Sequence, residues 1–352
     1  MPRPTFRKTL FILGAGSSRD YAQASHGIQD FQSPLNKDFF KMLKLVLLAD
    51  NLIANSSVRT FLRRLSDYYS LGRGANLDFL DSAVLEDLEA VMTHLNIKQE
   101  VYGAKANITT RGTSMEAMLR DLIVYSMARA SEGPVSNLHR RFVEAVTEVD
   151  VLISFNYDLL LDKALREAHR FDDNGYHVTF HSYSSRTSSR PPSHSNATLD
   201  LFKLHGSSNW ARCVECSGLV LLDDPKIALD LTGPASIKCP RCGRGPACLA
   251  PLIVPPVQTK AYADDPFRFL WIHAAKRIAG ADRIVAIGYR FSNNDRATET
   301  LLREEINPKR LKEIHLVNAT RSRDEVEENY KRVFPNSRIV WSRTFQEYLD
   351  GV

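Results

Sequence analysis

The sequence lacks the long apolar runs of a membrane protein, and it contains only 5 cysteines in 352 residues. No stretch approaches the ~18 uninterrupted apolar residues that a transmembrane helix needs. Residues 1–4 are basic but are not followed by the apolar core and small-residue cleavage site of a signal peptide. We therefore expect a cytoplasmic protein without a membrane segment.

An excess of either charge is also lacking, because 46 Lys and Arg against 41 Asp and Glu leave a net charge of +5. Such a dilute charge gives no indication of nucleic-acid binding. We interpret the local basic clusters at 59–64 and 309–312 as solvated helix faces. The hydrophobic content of 43% and charged content of 25% are those of a globular protein with one large or two modest domains.

The chain does contain an alternation of short, β-branched apolar runs with helical patterns. Strands are predicted at 8–13, 150–155, 176–181, 200–204, 283–287, 313–317 and 337–341. Helices are predicted at 158–170, 266–279, 295–306 and 322–333. Apolar residues three and four apart also dominate a block from about 35 to 147, which is a helical insertion between the first two strands. The alternation predicts an α/β fold with a mostly parallel sheet.

Three predicted strands end at residues that can carry chemistry. A glycine turn at 14–17 follows the first strand, Asn156 and Asp158 follow the second, and His205 follows the strand at 200–204. Ligands of open α/β sheets bind at the carboxyl ends of the strands. Backbone N–H groups of the turn could face a pyrophosphate, while His205 could act in acid–base chemistry.

Each of these features also has a structural interpretation. The glycine turn departs from the full dinucleotide-binding pattern, because Arg19 stands at its third glycine position, so the turn can be purely structural. Asp158 can cap a helix that begins near Leu159. An isolated histidine such as His205 is often structural.

Four of the cysteines form two C-x-x-C pairs, Cys213 with Cys216 and Cys239 with Cys242. Two such turns present four thiolates in a tetrahedral arrangement, which predicts a structural zinc ion. A closed four-thiolate shell leaves no open position, so this zinc should not be catalytic. Cys248 is interpreted as a small buried hydrophobic residue.

Taken in order, these motifs resemble the motif series of the Sir2 (sirtuin) family over residues 9 to about 320. The further motifs that carry the resemblance are G-I-Q-D-F-Q-S at 27–33, I-G-Y with a serine at 287–292, and V-N at 317–318. The resemblance implies a Rossmann-like NAD-binding core at 8–34, 148–210 and 249–352, a helical insertion at 35–147 and a zinc ribbon at 211–248. The NAD site would be lined by Gly14, Ala15, Gly16, Ser17, Asp30, Phe31, Asn156, Asp158, Gly288, Ser292 and Asn318.

The chain departs from sirtuin deacylases at three places. Gln32 stands where they carry an arginine, Tyr157 lies inside a motif that they write N-I-D, and residues 251–256 lack the V-x-F-G-E sequence that clamps the acylated peptide. The motifs F-N-Y-D, H-G-S-x-N-W and I-G-Y-x-F-S-x-x-D are instead similar to Sir2-like proteins of bacterial antiphage defence, which hydrolyse NAD.

The resemblance therefore implies an NAD⁺ hydrolase that releases nicotinamide and ADP-ribose when triggered by infection. Asn156 would orient the ribose hydroxyls or the water, His205 would be the base, Asp158 would support the developing positive charge, and Phe31 would cover the nicotinamide. The alternatives are an NAD-dependent lysine deacylase and a non-catalytic NAD- or ADP-ribose-binding regulator. Regulation is expected through a homo-oligomer or a partner such as an ATPase/helicase, an Argonaute or a nucleotide-sensing protein.

Overall fold

The computed structural model describes most of the chain, namely residues 7–19, 21, 28–71, 77–103, 114–183, 198–229, 231, 237–245, 248–257, 262, 265–291, 295–319 and 323–351. Ser292, one of the residues expected to line the NAD site, lies outside these residues. Within them, no helix is both long enough and apolar enough to cross a membrane.

Six parallel strands form the central sheet. They are β1 (Thr9–Leu13), β2 (Val151–Ser154), β4 (Leu201–Lys203), β8 (Arg283–Ile287), β9 (Glu313–Val317) and β10 (Arg338–Ser342). All five residues of β1 and all four of β2 are buried, because helices cover both faces of a parallel sheet and leave no polar face. The sheet confirms the predicted α/β class.

The order of the strands across the sheet is β10-β9-β8-β1-β2-β4, and all neighbours are parallel. The chain builds outward from β1 through β2 to β4, and then returns to the other side of β1 with β8. The reversal creates a topological switch point between β1 and β8. A crevice forms at such a point outside the carboxyl ends of the strands.

Helices pack on this sheet around one hydrophobic core. They are α1 (Gly16–Arg19), α6 (Asn137–Ala145), α7 (Leu160–Glu167), α8 (Phe267–Ile278), α9 (Arg296–Glu305), α10 (Arg323–Val333) and α11 (Phe345–Asp350). The helix α6 lies inside the predicted insertion at 35–147, yet its Phe142 and Val143 are buried in the core of the sheet. The insertion therefore ends structurally before α6.

The helical insertion contains α2 (Phe39–Ala49), α3 (Ser56–Tyr68), α4 (Leu88–Tyr102) and α5 (Met115–Ala130). Side chains cap three of these helices at their first turns: Asn55 for α3, Asp87 for α4 and Ser114 for α5. Their apolar faces form a second hydrophobic cluster, which also includes Leu229, Leu231, Ile253 and Val257. The insertion thus shares its core with the segment that follows β4.

A second sheet lies in that segment, with the strand order β3-β6-β5-β7. Its strands are β3 (His181–Tyr183), β5 (Gly206–Cys213), β6 (Leu219–Leu222) and β7 (Leu249–Ile253). β5 pairs antiparallel with β6 and β7. Two ranges assigned to the Rossmann-like core, 206–210 and 249–253, therefore belong to this smaller sheet.

One predicted strand is wrong. The segment 176–181 contains the end of a 3-10 helix at Asp173–Tyr176, and His177 has a left-handed backbone with φ of 56°. The tyrosine ring is fully buried against Phe171 and Trp210. The strand-like pattern comes from Tyr176, Val178 and Phe180, which all pack against the core of the large sheet although the backbone is not extended.

Candidate functional site

Glycines at the switch point bring the ends of β1 and β8 into direct contact. Gly288 has φ of 63°, and a Cβ added there would lie 2.1 Å from the main-chain nitrogen of Ser17. The N–H of Gly16 donates to the carbonyl of Gly288 at 3.1 Å, and that of Gly14 donates to the carbonyl of Ile287 at 2.9 Å. The structural interpretation of these glycines is therefore correct, whatever else the turn binds.

The N–H groups of the same turn are largely engaged within the protein. Ser17 N–H donates to the carbonyl of Gly14, and Ser18 N–H donates to that of Ala15. The hydroxyl of Ser17 also donates to Gly14. The side chains of Ser17 and Ser18, rather than the turn's N–H groups, connect the turn to the next strand end.

Asn156 follows β2 and is held by this turn. Its Nδ2 donates to the hydroxyl oxygens of Ser17 and Ser18, each at 3.1 Å. The side chain is only 8% exposed. Its Oδ1 is buried and has no hydrogen-bond partner among the described residues. A buried acceptor without a donor costs free energy of folding. This oxygen is therefore well suited to accept a hydrogen bond from a hydroxyl group of a ligand.

Asp158 has both of its carboxylate oxygens engaged. Oδ2 accepts from the hydroxyl of Ser18 at 2.7 Å, and Oδ1 accepts from the N–H of Leu160, the first residue of α7, at 3.1 Å. The carboxylate therefore satisfies the first N–H of α7 from the residue before the N-cap position, which is Leu159. Because its oxygens are engaged, Asp158 acts here by positioning the loop.

His205 follows β4 and is 7% exposed. Its Nε2 lies 3.1 Å from the hydroxyl of Tyr262, and its ring contacts Phe155 edge-on with centroids 4.8 Å apart. Burial raises the pKa of Tyr262, so its hydroxyl stays protonated and can donate to Nε2. A general base needs a ring nitrogen with a free lone pair, so Nε2 can act as a base only after its hydrogen bond to Tyr262 is released.

Aromatic side chains surround this histidine. Phe155 stacks on Tyr289 with centroids 4.7 Å apart and an interplanar angle of 17°, and Tyr262 packs on Trp271 at 4.7 Å. Aromatic walls exclude water and suit a planar ring.

Three other predicted site residues lie in different parts of the structure. Asn318 follows β9, is buried, and donates from Nδ2 to the carbonyl of Tyr289 at 3.3 Å, so it joins two strand ends. Asp30 is exposed and has φ of 59°. Phe31 is 1% exposed and packs in the helical cluster, so it cannot cover a nicotinamide in this conformation. Its apolar ring is stabilised more by the insertion's core than by an open crevice.

The four predicted cysteine ligands come together, with all four Sγ atoms within 4.8 Å of one another. The Sγ atoms of Cys213 and Cys242 are 3.8 Å apart, as are those of Cys216 and Cys239. Four sulfurs bound tetrahedrally at about 2.3 Å from zinc are about 3.8 Å apart. The quartet therefore fits a structural zinc ion. Cys248 lies outside it, buried, with its thiol donating to the carbonyl of Arg244.

No protein-family profile and no curated protein match this chain. Similar solved structures are Sir2 proteins. A Sir2 homologue in complex with NAD has a TM-score of 0.49 at 13% identity, over 98% of this chain and 88% of that one. A substituted Sir2 homologue bound to ADP-ribose has a TM-score of 0.45 at 13% identity, over 98% and 90%. All of these TM-scores lie below 0.5, and the fold class follows from the strand order and the packing described above.

Two residues of the site were not predicted, namely Ser18 and Tyr262. Ser18 directly follows the predicted glycine turn at 14–17, so its position was an available signal. Tyr262 lies in no motif, and only the folded chain brings it to His205.

Proposed function

We propose that this chain is an enzyme that cleaves the nicotinamide–ribose bond of NAD⁺ with water as the acceptor. The observation that carries the proposal is the buried Oδ1 of Asn156 at the switch point of the sheet, which has no hydrogen-bond partner in the described part of the chain. This oxygen supplies a fixed acceptor for a ribose hydroxyl or the attacking water. His205 supplies a base on a neighbouring strand end.

In the proposed reaction the water oxygen forms a bond to the anomeric carbon of the ribose, and the bond from that carbon to the pyridinium nitrogen breaks. Nicotinamide leaves with the bonding electron pair as a neutral molecule, so no general acid is needed. Nε2 of His205 is released from the hydroxyl of Tyr262, takes the proton of the water and passes it to solvent. Asn156 fixes the reacting groups, and fixed dipoles of this kind stabilise a cationic ribose without reorganisation.

The zinc ion has no part in this chemistry. It would be held by Cys213, Cys216, Cys239 and Cys242, and four thiolates leave no position for a substrate. Its contribution would be to hold the small sheet, where β5 begins directly after His205.

The choice of water over an acylated lysine is supported by the sequence of β7, where Pro251 and the residues after it replace the peptide-clamping motif of deacylases. The test is product analysis. Protein incubated with NAD⁺ should yield nicotinamide and ADP-ribose without any peptide. Product formation that requires an acetylated peptide and yields O-acetyl-ADP-ribose would establish a deacylase instead. Binding of NAD⁺ without turnover under all conditions would establish a regulator.

We propose further that the activity serves bacterial antiphage defence and is restrained until a homo-oligomer or partner protein is engaged. An enzyme that destroys NAD⁺ must be restrained in the cell. In cells that express the chain with its partners, NAD⁺ should fall after phage infection with the wild-type chain but not with Asn156→Ala. An equal fall with both chains would contradict the proposal.

A further inference from the structure

Lys203, the last residue of β4, is a lysine without solvent exposure. Lysines are almost never fully buried unless their charge is paired. Here Nζ donates to the main-chain carbonyl of Asp158 at 2.5 Å and to Oδ2 of Asp162 at 3.1 Å. One ammonium group thus joins the strand that precedes His205 to the loop that carries Asn156 and Asp158.

The partner carboxylate is fully satisfied as well. Asp162 lies in α7 and is buried, and its Oδ1 accepts a hydrogen bond from the hydroxyl of Tyr176. Burial, and then the Asp162 carboxylate, raise the pKa of Tyr176 well above its usual value, so the tyrosine remains a donor. Lys203, Asp162 and Tyr176 therefore form a complete buried polar network.

Such a network is not needed for stability alone. A buried ion pair can often be replaced by apolar side chains of the same size without loss of stability, because desolvation offsets the attraction between the charges. What an apolar pair cannot do is donate a hydrogen bond to the carbonyl of Asp158. That hydrogen bond holds the loop at Asp158, two residues after Asn156. Its donor, Lys203, ends β4, two residues before His205.

We propose that Lys203 is a positioning residue that fixes the loop of Asn156 and Asp158 relative to His205. The proposal rests on the function proposed above. Lys203 is not expected to contact the substrate. Its effect on the reaction comes from holding the two groups in register, and a displacement of about 1 Å between reacting groups can cost about 10²-fold in rate.

The test compares three proteins. The variant Lys203→Met with Asp162→Asn removes both charges together, so that no unpaired charge is left in the core, and it keeps an acceptor for Tyr176. Asp162→Asn alone is the control for kcat and hydrogen exchange, because it retains the hydrogen bond from Lys203 to Asp158. It leaves the Lys203 charge unpaired in the core, so it should melt below the wild type. The wild type completes the set. For each protein we would measure the melting temperature, kcat and KM for NAD⁺ cleavage, the affinity for ADP-ribose, and hydrogen exchange of residues 156–160.

We expect the double variant to melt close to the wild type, because both charges are removed together, and to bind ADP-ribose nearly as well. Its kcat should be about 10²-fold lower than that of the control with little change in KM, and the amides of 156–160 should exchange faster. Equal kcat and equal exchange in the double variant and the control would overturn the role of Lys203. If the wild type cleaves no NAD⁺ under any condition, the proposed function fails, and unchanged hydrogen exchange would independently refute the positioning of the loop.

Discussion

Gly288 occupies the most restricted glycine position at the site, since an added Cβ would meet the backbone of both Gly16 and Ser17. Gly280 is a matched control, because its φ is also positive, at 81°, but an added Cβ there meets nothing within 4 Å. We predict that Gly280→Ala costs about 1–2 kcal/mol of unfolding free energy from backbone strain alone.

Gly288→Ala should cost clearly more, about 3–5 kcal/mol, because the two strand ends must also separate. Chemical denaturation of both variants measures the difference. Equal losses would mean that the close contact between the turn and β8 does not matter for stability.

One buried histidine, His139, and one partly buried histidine, His315, should make the protein less stable in mild acid. Burial lowers the pKa of His139 to about 4, and burial together with the Arg283 charge lowers that of His315 to about 4, from an ordinary value of 6.5. Between pH 4 and pH 6.5, the two imidazoles are protonated in the unfolded chain but neutral in the folded chain. Stability is therefore fully present above pH 6.5 and is lost as the pH falls toward 4.

We predict a loss of up to about 1.4 kcal/mol per pH unit for each of the two histidines. The pKa of Asp282 is lowered as well, but a carboxylate contributes its loss only below about pH 4. Denaturation curves at several pH values measure the slope, and His139→Gln should make it shallower. A free energy of unfolding that stays constant over this range would contradict the burial of both rings as neutral groups.

At the scale of elements, the cysteine quartet joins the turn after β5 to the segment before β7. We predict close to one zinc ion per chain. Cys239→Ser should lose the metal and lower the melting temperature, because zinc ligation contributes folding free energy. Metal analysis and thermal unfolding measure both effects. Cys248→Ala is the control and should retain its zinc, and an unchanged melting temperature in Cys239→Ser would contradict a structural site.

The sequence predicted the elements of the large sheet better than those of the small one. Parallel strands such as β1 and β8 are buried on both faces and so are continuous apolar runs. β5 is also buried, yet it contains Ser207, Ser208 and Asn209. Its conformation depends on pairing with β6 and β7, which lie far along the chain, and local pattern does not report such pairing.

The helix α6 also shows that local sequence pattern does not reveal what an element packs against. Its helical spacing is visible in the sequence, but the same spacing fits an insertion or a layer on the sheet. The burial of Phe142 and Val143 in the core of the sheet assigns it to the sheet, and Phe142 contacts Phe11 of β1 with ring centroids 5.0 Å apart.

For the whole molecule, the parallel sheet explains why much of the site was predictable. All strands of such a sheet end at the same edge, so residues after different strands, such as Asn156, His205 and Asn318, collect there. Residues whose place depends on packing between the lobes were not predictable in this way. Phe31 is taken into the helical cluster, and Tyr262 is brought to His205.

The same architecture brings the helical insertion close to the site. The hydroxyl of Ser131, just after α5, accepts a hydrogen bond from the N–H of Leu159 at 2.8 Å. The apolar cluster of the insertion also includes Ile253 of β7. The insertion is therefore hydrogen-bonded to the loop that begins with Asn156.

The most direct test of the account is the rate of nicotinamide release from NAD⁺ by the activated protein, measured for the wild type, Asn156→Ala and His205→Ala. Each variant should keep its fold, because neither side chain belongs to the hydrophobic core, and each should lose about 10²–10⁴-fold in rate. Undiminished release of nicotinamide by both folded variants would contradict the account, since the chemistry would then lie away from these two strand ends.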